Sequence, residues 1–184
     1  MVDADERQRW NRRYRARDEV APVDGPPPDP PAPLRRLATV LPARGTAIDL
    51  AGGDGGGALF LAHRGLATTV VDLSDVGLRR AAAFAARDGI ELRTVAADLS
   101  GRSLREVLTI AGEPRPDVVT CFNYLDRTLL GSVSRDLPSG SRFVAAVATT
   151  TNLERHRRPP ARFLLDPGEL ARLVVGDRAS RLRV

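Results

Sequence analysis

Residues 52–57, GGDGGG, put five glycines into six positions between two apolar runs, AIDLA before them and ALFLA after. A glycine-dense turn leaving a run of strand length and entering one with helical spacing opens a βαβ unit. There bare backbone at a helix N-terminus comes close to a ligand. Three aspartates mark this stretch: Asp49 before the turn, Asp54 inside it and Asp72 at the end of the next apolar run.

The same alternation continues down the chain. TAIDLAG predicts a first buried strand, and GGALFLAHRG a helix closed by Gly65. TTVVDLS predicts a second strand, after which Ser74 caps a helix running to Arg87. IELRTVAAD is a third strand, SLREVLTIAG a helix, and DVVTCF a near-continuous apolar run suited to a parallel strand covered on both faces. A helix over Asp126 to Leu137, the turn PSG and the strand RFVAAVA follow. In DPGEL, Asp166 stands as N-cap, Pro167 at the first helical position and Glu169 three residues after the cap, a capping-box start. Strands alternating with helices specify an α/β fold, a Rossmann-like open, mostly parallel sheet flanked by helices. Such sheets bind ligands outside the carboxyl ends of the strands, where strand order reverses.

Ahead of this pattern, residues 3–17 predict a polar helix whose Trp10 and Tyr14, at i and i+4, share one face and need a surface to cover. Residues 21–33, APVDGPPPDPPAP, favour an extended strap.

Two chemistries compete for the glycine turn. Gly53, Gly55 and Ala58 satisfy the dinucleotide pattern G-x-G-x-x-A, which predicts a pyrophosphate ligand and an NAD(P)-dependent oxidoreductase. Asp49, four residues before Gly53, argues the other way: a carboxylate pointing at the loop repels a pyrophosphate and attracts a cation.

Composition narrows the field further. The formal net charge of +5 raises nucleic acid, but all 28 basic residues are Arg, spread along the chain and interleaved with acids, so nucleic-acid binding is not expected. The single cysteine, Cys121, excludes a disulfide framework and a paired-cysteine metal site, and fits a reducing, cytoplasmic setting. No leader pattern and no membrane-length apolar stretch is seen, so neither export nor a membrane partner is expected. His63 and His156 have neither a third orienting partner nor metal-ligand spacing, which leaves no nucleophile or metal site to draw.

With acid, spacer and Gly-x-Gly in order (Asp49-x-Ala51-x-Gly53-x-Gly55), the stretch resembles the class I S-adenosylmethionine-dependent methyltransferases. The segments WNRRY, DLAGGDGGGALFLAHRG, VVDLS and RFLLDPGEL are particularly similar to the small bacterial methyltransferases of the tellurite-resistance type. The resemblance implies S-adenosylmethionine as cofactor and a small-molecule methyl acceptor. It implies cofactor-binding roles for Asp49, Ala51, Gly53 and Gly55, for Asp72 and Leu73 at the ribose, for Asp98 and Leu99 at the adenine, and for Phe122 in the fourth motif, CFNYLD. Asn123 and Tyr124 become acceptor-side candidates, and Trp10 and Tyr14 lid residues. Residues 1–33 would form a helix and strap folding over the cofactor, and residues 34–184 the methyltransferase domain. No catalytic base is implied.

Alternatives stay open residue by residue. Asp98 also suits the N-cap of the following helix, and Trp10 and Tyr14 suit plain hydrophobic anchors. The family's sheet ends in a two-strand hairpin. Here SRLRV can begin its first strand and no residues follow for the second, so a truncated hairpin is expected. That leaves room for a catalytically silent binding protein, and for an exposed sheet edge able to pair in a homodimer.

Overall fold

The computed structural model describes residues 4–154, 156 and 159–175. Five strands, β1 (Gly45–Leu50), β2 (Leu66–Asp72), β3 (Leu92–Ala96), β4 (Val118–Phe122) and β5 (Arg142–Ala146), form one sheet in the order β3-β2-β1-β4-β5. Every pairing is parallel. Seven α-helices accompany them among the described residues: α1 (Ala4–Val20), α2 (Ala32–Arg36), α3 (Gly56–His63), α4 (Asp75–Arg87), α5 (Leu104–Ala111), α6 (Arg127–Asp136) and α7 (Glu169–Val175).

The sheet is central because its middle strands are apolar on both faces. All five residues of β4 and the last four of β1 are buried, whereas β3, at the edge, keeps Arg93, Thr94 and Ala96 exposed. One face packs Ile48, Leu50, Val71, Val119 and Cys121 against Leu104 and Val107 of α5 and Leu129 and Val133 of α6. On the other, Ala47 and Val118 meet Leu34 of α2 and Leu61 of α3, while Val70 meets Ala58, Leu78 and Ala81. Each fully buried Leu or Val contributes about 1.5–3 kcal/mol relative to exposure. The packing on these two faces fixes the strands in the sheet, and with them the alignment of their carboxyl ends.

Helix starts follow their caps. Ser74 accepts from the Gly77 N–H at 3.0 Å, Asp126 from the Leu129 N–H at 2.9 Å, and Ser103 forms a reciprocal capping box with Glu106. The cap of the helix after β3 is therefore Ser103, which removes that role from Asp98. α7 departs from expectation. The Glu169 carboxylate accepts the Asp166 N–H at 2.8 Å, but Gly168 turns left-handed at φ 77°, so the helix starts at Glu169 and Asp166 is not its N-cap. The segment SRLRV lies outside the described residues, and among those described β5 pairs with β4 alone. No described helix is long and apolar enough to cross a membrane.

Candidate functional site

Strand order reverses between β1 and β4, and the chain's backbone strain collects there. Ala51 (φ 52°) just beyond β1 and Asn123 (φ 56°) just beyond β4 are the non-glycine residues held at positive φ among those described. Asn tolerates this region; Ala does so at a cost of about 1–2 kcal/mol. Strain of this kind persists where surrounding contacts over-determine it, and it concentrates at binding sites.

The glycine loop is held by carboxylates from two sides. Asp49, 2% exposed, lies beneath it and accepts the Thr120 hydroxyl of β4 at 2.6 Å and the Ala58 backbone N–H of α3. A Cβ on Gly57 would come within 2.7 Å of that carboxylate, so Gly57 lets the helix N-terminus close down on it. Burial pushes Asp49 up to about 6, against the pull of its Thr120 and Ala58 bonds and with a further push from Asp72. Asp72, at the end of β2, accepts the Gly53 N–H at 2.8 Å on one oxygen and the Ser74 N–H at 2.7 Å on the other. Its carboxyl is raised as well, first by burial. Leu73, half-buried beside it, adds its N–H to the same carboxylate.

The N-terminal helix lies directly over this loop. Tyr14 is 8% exposed and its ring occupies the space in which a Gly53 Cβ would sit, while a Gly77 Cβ would press on it at 3.0 Å. Trp10, one turn earlier, remains half-buried, flanked by Arg9 and Arg13 and stacked on Tyr14 at 6.2 Å between centroids. Tyr14 thus docks as its place on the stripe with Trp10 suggests, Trp10 lies at the margin, and the second buried residue of the helix is Asn11, with the exposed Arg17 tying its far end. Asn11 donates to Asp75 at 2.7 Å and accepts the Ser74 hydroxyl at 2.6 Å, and Arg17 donates to Asp54 at 2.7 Å. Arg80 of α4, 4% exposed, pairs with Asp18 and donates to the Ala21 carbonyl at 2.8 Å, with Asp54 at 3.8 Å. Arg87 donates to the carbonyls of Val23 and Gly25, and the strap's Asp29 carbonyl lies where a Gly56 Cβ would be, at 2.7 Å.

The third and fourth strand ends meet across the opening. Asp98 accepts the Ser100 N–H at 3.0 Å, and Leu99 is buried in the core. The Asp126 carboxylate accepts the Gly101 N–H at 2.7 Å, and Tyr124 is bonded to Ser100, so the two loops are tied together. Burial raises the Tyr124 phenol, which stays protonated. The Phe122 side chain packs into the core with Leu34, Leu61 and Val118, leaving its backbone at the opening. Asn123 is exposed, its N–H on the Ala146 carbonyl at 2.9 Å. Cys121 is fully buried and pushed up to about 12, foremost by burial, which leaves it a neutral core thiol. His63 sits at the surface, 3.5 Å from Asp88.

Four residues that shape this site went unassigned on sequence: Asn11, Arg17, Asp54 and Arg80. Asp54 was visible as a charge inside a glycine turn. The other three sit among many arginines and polar neighbours that gave no pattern.

No protein-family model matches the sequence, and no curated protein matches it. Solved structures do match. One, from work on the conversion of a disulfide bond into a thioacetal group during echinomycin biosynthesis, superposes with TM-score 0.65 at 19% identity, covering 92% of this chain and 77% of that one. A TehB-like SAM-dependent methyltransferase from Corynebacterium glutamicum gives TM-score 0.59 at 16% identity over 94% and 82%. TehB from Haemophilus influenzae gives 0.58 at 15% over 76% and 48%. The chain has the class I methyltransferase fold.

Proposed function

We propose that this chain binds S-adenosylmethionine and transfers its methyl group to a small-molecule acceptor. The observation that carries the reading is the glycine loop held between two buried carboxylates. Asp49 takes the Ala58 N–H at the start of α3, where a pyrophosphate would seek donors, and the strap's Asp29 carbonyl crowds Gly56 at the same end. Negative charge and carbonyl oxygen there oppose NAD(P) and suit a ligand whose charge is a sulfonium and an ammonium.

The donor set fits that ligand. A carboxylate has about four lone-pair positions, and the N–H groups of Gly53, Ser74 and Leu73 take three of those on Asp72, so about one is left for a ribose hydroxyl with the loop still in place. Leu73, Asp98 and Leu99 would border the adenine, Gly53 and Gly55 the amino-acid tail, and Phe122, Asn123 and Tyr124 the side from which an acceptor approaches. When bound, the cofactor supplies an activated methyl group open to direct displacement. The protein's part is then proximity, alignment and exclusion of water. Tyr14 and the strap shield the loop, the Asp49–Thr120 bond ties β1 to β4 beneath it, and the Gly101–Asp126 bond closes the opposite rim. None of these steps requires a base, and none is assigned.

Calorimetric titration with S-adenosylmethionine, S-adenosylhomocysteine and NAD tests the reading. Binding of the two sulfur nucleotides, lost in Asp72→Ala and absent for NAD, is expected. Binding of NAD alone, or of nothing, would end it.

A further inference from the structure

A run of buried hydrogen bonds leads from the N-terminal helix to the glycine loop through Asp72, and its first member has no part in the proposed binding. It starts at Asn11, a 9% exposed amide on an otherwise charged helix. The Asn11 side chain accepts the Ser74 hydroxyl at 2.6 Å and donates to Asp75 at 2.7 Å. Ser74, wholly buried, donates its backbone N–H to one oxygen of Asp72 at 2.7 Å. The other oxygen of Asp72 accepts the Gly53 N–H at 2.8 Å. Tyr14, one turn after Asn11, presses on Gly53 and Gly77, so the same helix touches both ends of the chain of bonds.

We propose that Asn11 is a positioning residue: through Ser74 it sets the Asp72 carboxylate for ribose binding, and occupancy of Asp72 in turn fixes how firmly α1 is docked. The inference rests on the proposed binding of S-adenosyl nucleotides at Asp72. Its physical basis is that Ser74 has one hydroxyl proton and spends it on Asn11, with the Gly77 N–H donating into the same oxygen at 3.0 Å. Rotating or removing the amide leaves a buried hydroxyl to find another acceptor, and Asp72, whose carboxylate already accepts the Ser74 N–H at 2.7 Å, is one of the two carboxylates of the network, beside Asp75. Linkage makes the effect reciprocal: whatever docking does for the ligand, the ligand does for docking.

The molecule carries its own reporters. Trp10 is the only tryptophan and neighbours Asn11, and α1 holds Arg12, Arg13 and Arg15 on its exposed surface as trypsin sites. The experiment is a double-mutant cycle of Asn11→Leu and Asp72→Asn in the full chain. It is read by tryptic cleavage within α1 and Trp10 emission without ligand, and by calorimetry with S-adenosylhomocysteine. Expected are faster α1 cleavage in each single variant, no further increase in the double variant, and affinity weakened about tenfold in Asn11→Leu. Asn11→Gln, which keeps the amide, should recover part of both losses. Additive cleavage rates, or Asn11→Leu with wild-type affinity, would overturn the coupling. If the wild-type chain binds no S-adenosyl nucleotide, the proposed function fails by itself. The ligand-free cleavage cycle still decides whether Asn11 and Asp72 are coupled.

Discussion

Replacing Asp49 by Asn should stabilise the protein at neutral pH while weakening its hold on a cation. Asp49 is 2% exposed, and burial lifts its carboxyl from 3.8 to about 6 despite bonds from Thr120 and Ala58. Because the folded-state value lies above the unfolded one, the folded chain binds this proton more tightly. The stability it confers is complete below about pH 4 and is lost as pH rises through about 6. At about 1.4 kcal/mol per pH unit, keeping Asp49 ionised at pH 7.5 costs about 3 kcal/mol. Asn avoids that cost and keeps its neighbours satisfied. Its oxygen accepts the Ala58 N–H and its NH2 donates to the Thr120 oxygen, whose proton turns to the Ile48 carbonyl at 3.5 Å. The bond to Ile48 is long, so the net gain at pH 7.5 should be about 1–3 kcal/mol, and it should fall by about 2–3 kcal/mol on going to pH 4. Urea unfolding of both proteins at half-unit steps from pH 4 to 8 measures it, and the difference curve isolates Asp49 from other titrating groups. A difference independent of pH, or a variant less stable at pH 7.5, would refute the reasoning. The same variant should lose more affinity for S-adenosylmethionine than for S-adenosylhomocysteine, since only the former carries a sulfonium charge.

Ala51→Gly relieves a left-handed alanine but loosens the unfolded chain, so a gain of no more than about 1 kcal/mol is expected in thermal unfolding. A clear loss would mean that the Ala51 methyl packs more usefully than it strains. Gly55→Ala should cost roughly 3 kcal/mol, because φ is 90° and the new Cβ would meet the Ala81 Cβ at 2.7 Å. A well-folded variant of near wild-type stability would contradict the loop geometry. Ser103→Ala breaks the capping box of α5 and should cost about 1 kcal/mol with no change in nucleotide affinity, checked by denaturation and calorimetry side by side.

The sheet was legible because its signals are apolar and periodic: four buried residues at the end of β1 and five in β4 leave little choice of face or layer. Ser74 as a cap and Gly65 as a helix end were legible because each turn conformation admits few residue types. The docking of α1 was not. Counting aromatics at i and i+4 turned the helix toward Trp10, whereas its buried residues are Asn11 and Tyr14, and its polar ties run from Asn11 and the exposed Arg17 to partners 64, 63 and 37 residues away. Attraction between polar groups leaves no period in a sequence. DPGEL misled for a related reason: its capping letters are in order, but Gly168 takes the left-handed turn and the helix begins after it.

The parallel order β3-β2-β1-β4-β5 also sets a timetable for a chain growing from its N-terminus. β1 pairs with β2 across one short crossover, Gly45 opposite Leu66, and β2 pairs with β3 likewise, Thr68 opposite Leu92. The other flank of β1 waits for β4: the Asp49–Thr120 bond joins residues 71 apart. On a ribosome, therefore, the glycine loop takes shape while its opposite wall is still unmade. Asp49 gains its Thr120 partner only when β4, about two thirds of the way along the chain, has been made.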